Sequence, residues 1–233
     1  MKSEEKWQLA EILEKYTNAQ SPLKETYSFV REFLDPQQGD YYWTYRYEHS
    51  LRVALWGKRI AEGEGWDSEP LVMACLLHDI GYPECRTVAD FDKHAVVSAE
   101  VAEKFLKRIQ YDTFLSNSIC NAIAIHDRWS DVPTDATPFE LSVRDADDLD
   151  RFDMMRLCLS GAKDIGERSA SDLIDICEER LNSLIDWENR ICGTTTAKMF
   201  WEDELRIRRQ LYESVKSQMQ GSVDMEMILK QEG

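Results

Sequence analysis

Histidine is scarce in this chain: there are four in 233 residues, at positions 49, 78, 94 and 126. Positive charge is short as well, with 28 Lys and Arg against 44 Asp and Glu and a formal net charge of −16. That balance excludes a nucleic-acid polymer as partner, because phosphate backbones are bound through basic patches. A small phosphorylated ligand stays open, since divalent ions supply positive charge locally and acidic surroundings favour holding them. The acidity also serves solubility. The six cysteines (75, 85, 120, 158, 177 and 192) show neither CxxC pairing nor the spacing of a secreted disulfide scaffold, which predicts reduced thiols. No apolar run approaches the ~20 residues that a membrane-spanning helix needs. Met1–Lys6 lacks the apolar core of a signal peptide. The expectation is a cytoplasmic protein with no membrane partner.

Glycine-rich motifs are also missing. There is no Gly-x-Ser-x-Gly elbow, no Walker-type phosphate loop and no Gly-x-Gly-x-x-Gly fingerprint, so three common catalytic designs drop out. Alternating strand patterns, internal repeats and low-complexity segments are absent too. Helical periodicity remains, over 3–16, 22–34, the surroundings of each histidine, 170–187 and 197–219, and the predicted fold is all-α. The turn-rich 35–40 breaks the pattern, and residues from about Gly221 read as a loosely held end.

The most telling stretch is Leu76-Leu77-His78-Asp79-Ile80-Gly81. Ser68 suits an N-cap, Pro70 the first turn, and Leu71–Leu77 is apolar enough to be buried on nearly every side, with Gly81 and Pro83 as stops. A buried carboxylate beside an imidazole is costly unless something pairs with both, and a divalent cation does. The other histidines also fall on apolar helix faces. His49 aligns with Val53, Trp56 and Ile60; His94, in a helix that Asp92 could cap, aligns with Val97, Val101 and Phe105; His126 shares a face with Ile119 and Ile123. A lone histidine on such a face is usually a hydrogen-bonded core residue, but four of four in so histidine-poor a chain point to ligands. A further carboxylate is expected from the helix that the capping box Thr137-Pro138-Phe139-Glu140 announces. Periodicity puts Asp147 and Asp150 with Val143, Ala146, Met154 and Leu157, and Asp145 with Leu141 and Phe152, so it favours Asp147 over Asp145 only slightly. Asp145, Asp148 and Asp150 are expected as solvated, capping or ligand-supporting groups.

The order His49, His78-Asp79, His94, His126, Asp147 resembles the HD-domain superfamily of metal-dependent phosphohydrolases. Lys93-His94-Ala95-Val96-Val97-Ser98-Ala99-Glu100 and Asp145-Ala146-Asp147-Asp148-Leu149-Asp150 are similar to the corresponding family segments. Thr194-Thr195-Thr196-Ala197 with its Arg-rich helix resembles a subgroup of small bacterial HD hydrolases. The resemblance implies a single HD domain over 41–220, with 1–40 as a helical extension packed on it, 221–233 as a loose end, and a metal site at the centre of a helical bundle. It implies one ion at His49, His78, Asp79 and Asp147, and, as in the dinuclear branch, a second at Asp79, His94 and His126 with Asp79 bridging. Imidazole and carboxylate ligands suit Fe, Mn, Co, Ni or Zn better than Mg.

The implied activity is hydrolysis of a phosphoester or pyrophosphate bond of a small phosphorylated molecule, such as a nucleotide, by a metal-bound hydroxide. Asp79 is expected as a catalytic group, with Lys93 and Arg128, each beside a ligand of the second ion. Arg46, Arg52, Tyr82, Lys93, Arg128 and Arg86 are candidates to contact substrate, against the ordinary reading of exposed charges. Many HD proteins have Lys where this chain has Tyr82, which removes one anion-gripping charge. Trp43 and Tyr45 precede the first ligand as packing groups or a pocket wall. A homodimer is compatible with the sequence. Two rivals remain: a di-iron oxygenase of the HD type, and a nucleotide-binding sensor without catalysis.

Overall fold

A computed structural model describes residues 6–16, 21–34, 41–85, 88–128, 132–154, 157 and 168–232. Among them are nine α-helices and no strand: α1 (Lys6–Glu14), α2 (Pro22–Leu34), α3 (Tyr41–Glu64), α4 (Ser68–Leu77), α5 (His94–Arg108), α6 (Thr113–Ile125), α7 (Pro138–Phe152), α8 (Ala170–Glu188) and α9 (Thr195–Glu232). Two short 3-10 turns, Tyr82–Glu84 and Val88–Lys93, lie between α4 and α5. The fold is all-α, as the periodicity predicts. The break at 35–40, Arg86, Ser130, Asp131 and the Trp43 side chain fall outside the described residues. Two compact units separate: Met1–Asp150 with Cys192–Ala197, and Arg151–Ile191 with Lys198–Gly233.

The first unit is built around α4, which packs against α2, α3, α5 and α6. Every residue of α4 from Pro70 to Leu77 except Val72 is buried, which is why its sequence is apolar on all sides. Its cap is Asp67, whose carboxylate accepts from Glu69 N at 3.0 Å; Ser68, the expected cap, is instead the first helical residue. A carboxylate one position earlier already satisfies the orphan amide and suits the positive end of the helix. Asp92 does not cap α5 either. It is coiled into the preceding 3-10 turn, and the N-cap position falls to Lys93, which makes no side-chain cap bond. The box ahead of α7 forms as predicted, with Glu140 N donating to Thr137 Oγ1 (3.2 Å) and Thr137 N to Glu140 Oε2 (2.7 Å).

Phe29 of α2 stacks on Phe105 of α5 at 4.4 Å, with Tyr16 edge-on to both. Each fully buried aromatic of this kind contributes ~1.5–3 kcal/mol. A strap at Cys192–Ala197 joins the ends of α3 and α7. Gly193 N donates to Asp145 Oδ2 (2.7 Å), Thr196 N donates to Glu64 Oε1 (2.8 Å), and Thr194 Oγ1 caps α9 through Ala197 N (3.0 Å). A side chain at 193 would collide with Leu141 and the Pro138 carbonyl, so this close approach needs glycine.

In the second unit Phe152, Trp187 and Trp201 form an aromatic cluster, and Trp201 Nε1 donates to Trp187 O (3.0 Å). Arg208 donates to the carbonyls of Phe152 (2.8 Å) and Arg151 (3.0 Å), which are orphan acceptors at the end of α7. Ser169 and Asp172 make a reciprocal capping box for α8. The helix α9 runs on to Glu232, past Met219 where its sequence pattern stops.

Candidate metal centre

The four histidines converge from four helix ends or faces of the first unit. His78 and His126 are the C-cap residues of α4 and α6, His94 opens α5, and His49 sits in α3. All four are buried. The first three each donate Nδ1–H to a carbonyl three residues back, at 2.7 Å: His78 to Cys75, His94 to Phe91 and His126 to Ile123. Each acceptor is a main-chain carbonyl in the turn that carries the histidine, so the local fold orients each ring. His49 Nδ1 instead faces Asp150 Oδ2 at 2.6 Å.

With Nδ1 committed as donor, each Nε2 is the atom left to take a proton or a cation. These atoms point at one another. His49 Nε2 lies 3.2 Å from His78 Nε2, 3.1 Å from Asp147 Oδ1 and 3.6 Å from Asp79 Oδ2. His78 Nε2 is 3.5 Å from Asp79 Oδ2 and 3.8 Å from Asp147 Oδ1. On the other side of Asp79, His94 and His126 present Nε2 atoms 3.3 Å apart, at 3.5 and 3.6 Å from Asp79 Oδ1. Among the described residues Asp79 Oδ1 accepts no hydrogen bond, although Asp79 is buried.

Donors sharing one transition-metal ion at about 2.1 Å are ~3.0–3.5 Å apart, which the observed separations approach. Two imidazole nitrogens at 3.2–3.3 Å need a shared proton or a shared cation between them. The donor set therefore fits a divalent metal, and His49/His78/Asp79, His78/His126/Asp147 and Asp79/His94/His126 are groups able to hold one. The carboxyl ends of α4 and α6 face the same place and add negative potential.

The charge states of the metal-free chain say the same. Burial disfavours a charged His49, but its hydrogen bonds with Asp147 and Asp150 carry its pKa up to about 9. Burial pushes His78 down to about 4 and also lowers His94. His126 is raised, burial being outweighed by Asp79. Asp79 lies well below the usual range: burial opposes its charge, and His78, His126 and Arg46 overcome it. A proton stands in for a cation where the carboxylates demand one.

The six residues expected as ligands come together: His49, His78, Asp79, His94, His126 and Asp147. Asp145, the alternative, is turned to Gly193. Asp145, Asp148 and Asp150 are all buried, so none is solvated as allowed for above. Asp150 carries a double load that sequence reasoning left open, since it also accepts from Arg52 Nε at 2.6 Å and Nη2 at 3.3 Å. Arg46 Nη1 donates to Asp79 Oδ2 at 2.6 Å. Tyr82 is buried and stacks on His94, 4.5 Å between centroids at 18°. Tyr45 lies parallel to the His49 ring at 5.9 Å. Lys93 and Arg128 adjoin the site in sequence, but their side chains are exposed and stand outside the buried cluster.

An all-α unit with buried imidazoles and carboxylates in this chain order defines a class. Residues 46–155 match the model of the HD domain. The match to the HD domain covers that segment, just under half of the chain. A predicted HD superfamily hydrolase from an uncultured Thermotogales bacterium, known from a crystal structure, is similar at TM-score 0.58 and 21% identity, over 90% of this chain and 98% of that one. That likeness is one of fold. No curated protein matches.

Proposed function

We propose that this chain is a metal-dependent phosphohydrolase that cleaves a phosphoester or pyrophosphate bond in a small phosphorylated molecule, with a nucleotide as the leading substrate class. The observation that carries the reading is the convergence of four imidazole Nε2 atoms and the Asp79 and Asp147 carboxylates at 3.1–3.8 Å. His49, His78, Asp79 and Asp147 would hold one ion, and Asp79, His94 and His126 a second. Asp79 suits both because its two oxygens face different histidine pairs. Divalent ions in such a site make water a nucleophile near neutral pH and offset charge on a phosphoryl group. The protein's part is to exclude bulk water, since every donor is buried, and to keep each imidazole in one tautomer through its Nδ1 acceptor. Exposed Lys93 and Arg128, flanking His94 and His126, are proposed to meet substrate oxygens.

The described cysteines, 75, 85, 120, 177 and 192, are thiols, which supports work in the reducing cytoplasm. No helix among the described residues is long and apolar enough to cross a membrane.

The test is metal content by elemental mass spectrometry, with phosphate release from nucleotides and phosphodiesters, on the native chain and His94→Ala. About two ions, falling toward one with loss of turnover in the variant, is the expected result. A chain that takes up no Mn, Fe, Co, Ni or Zn overturns the proposal, as does oxygen consumption by an iron-loaded form that releases no phosphate.

A further inference from the structure

We propose that Arg46, seated on Tyr82, is a positioning residue that fixes the rotation of the Asp79 carboxylate, so that Oδ2 serves the His49/His78 pair and Oδ1 the His94/His126 pair. The proposal rests on the metal reading above and assigns Arg46 a task other than gripping substrate. A carboxylate turns readily about its last bond, and that torsion is broad and two-fold. In Asp79 the two oxygens face different histidines, so a freely turning group would blur both sets of donors. The Arg46 guanidinium stands 2.6 Å from Oδ2 and singles that oxygen out. Arg46 lies one helical turn before His49 on α3, so a single helix delivers both the ligand and the clamp.

Tyr82 determines where Arg46 can be. The guanidinium carbon is 3.8 Å from the Tyr82 ring centroid, and the His94 ring is nearly parallel to the same tyrosine at 4.5 Å. Both groups cannot occupy one face at those distances, so the ring lies between them. It links the clamp on Oδ2 to the imidazole that faces Oδ1. The tyrosine is itself fixed: Phe91 meets it edge-on at 5.5 Å, and Cys85 N donates to its carbonyl at 3.0 Å. A guanidinium on an aromatic face loses little by being partly desolvated, which suits a cation that is only 17% exposed.

The experiment compares Arg46→Gln, Tyr82→Leu, Tyr82→Phe and the Arg46→Gln/Tyr82→Leu double variant. Mn²⁺ uptake is measured by equilibrium dialysis, the visible spectrum is recorded with Co²⁺, and imidazole ¹⁵N spectra are taken on the metal-free chains. Arg46→Gln and Tyr82→Leu should each weaken Mn²⁺ binding ~10–100-fold and alter the Co²⁺ spectrum. The double variant should lose little more than either single one, because both act through Asp79. Tyr82→Phe keeps both stacks and should restore uptake. Unchanged Mn²⁺ affinity and Co²⁺ spectrum in Arg46→Gln, with a raised KM for a phosphomonoester, would overturn the proposal and make Arg46 a substrate contact. If the native chain binds no metal, the functional reading fails on its own. The ¹⁵N signals of His78 and His94 then decide the clamp: a shift in Arg46→Gln and Tyr82→Leu but not in Tyr82→Phe upholds it, and no shift rejects it.

Discussion

Gly81 follows the His78-Asp79 step and passes against α5, and replacing it with alanine tests how tightly that step is seated. Its backbone sits at φ −78°, ψ −13°, which any residue adopts, so the substitution brings no dihedral strain. Sterics alone act. A Cβ at 81 would stand 2.4 Å from Ser98 N and 2.7 Å from Val97 C, both main-chain atoms of α5. Ordinary contact begins near 3.4 Å, so the turn must move off by about 1 Å, and a helix backbone does not give way as a side-chain tip does. Overpacking of this kind costs ~1–3 kcal/mol. Loss of the 2.8 Å bond from Gly81 N to Ser98 Oγ adds about 1 kcal/mol.

The expected total, about 2–4 kcal/mol, is read from the denaturant midpoint of the metal-free chain, and Mn²⁺ uptake should fall because Asp79 retreats from His94. Gly65→Ala is the matched control. Gly65 has φ +70° and nothing within 4 Å of a would-be Cβ, so alanine there costs about 1 kcal/mol by conformation and should leave metal uptake alone. Native Mn²⁺ affinity in Gly81→Ala, or equal losses in both variants, would refute the steric argument.

Asp150→Asn should weaken the ion expected at His49 by ~10–100-fold in a chelator competition, since a carboxamide has one acceptor oxygen where the carboxylate has two and carries no negative charge toward His49 and Arg52. Equal binding by the variant would mean that His49 needs no such support. Glu204 in the second unit gives a pH test. Burial raises it to about 7, Asp153 adds to this, and Arg208 partly offsets it. The folded chain then holds this proton more tightly than the unfolded one, so its contribution is full below about pH 4.5 and is lost as pH rises toward 7. Glu204→Gln should therefore raise the unfolding free energy at pH 8 by about 1–2 kcal/mol, after allowance for solvent screening, and change nothing at pH 4; the opposite trend would reject the assignment.

The members of the buried cluster, proposed here as ligands, were largely legible because histidine is rare here and each copy lies on an apolar face. The choice between Asp145 and Asp147 was not. Ser142 to Asp150 is buried throughout, so helical periodicity offers no outward face with which to discount a carboxylate. What separates the two is Gly193, 48 residues on from Asp145, and no local pattern announces a contact of that range. The same holds for Arg46 and Arg52, which sequence reasoning turned toward substrate. Their carboxylate partners lie 33 and 98 residues away. Helix starts failed for a smaller reason. At Asp67-Ser68 neighbouring residues compete for one cap, and at α5 the preceding 3-10 turn takes up Asp92 and leaves the N-cap position to Lys93, whose side chain makes no cap bond.

Three of the four imidazoles lean on a main-chain carbonyl, at Cys75, Phe91 and Ile123. Such an oxygen is specified by no codon: whatever residue comes to occupy 75, 91 or 123, the same acceptor is presented as long as the turn survives. Those three rings are thus insulated from drift in the sequence around them. His49 is the exception, because it takes its bearing from a side chain contributed 101 residues later. Among the four Nδ1 supports, the one at position 150 alone is a side chain, so tuning of ring orientation that leaves every proposed ligand in place runs through that residue.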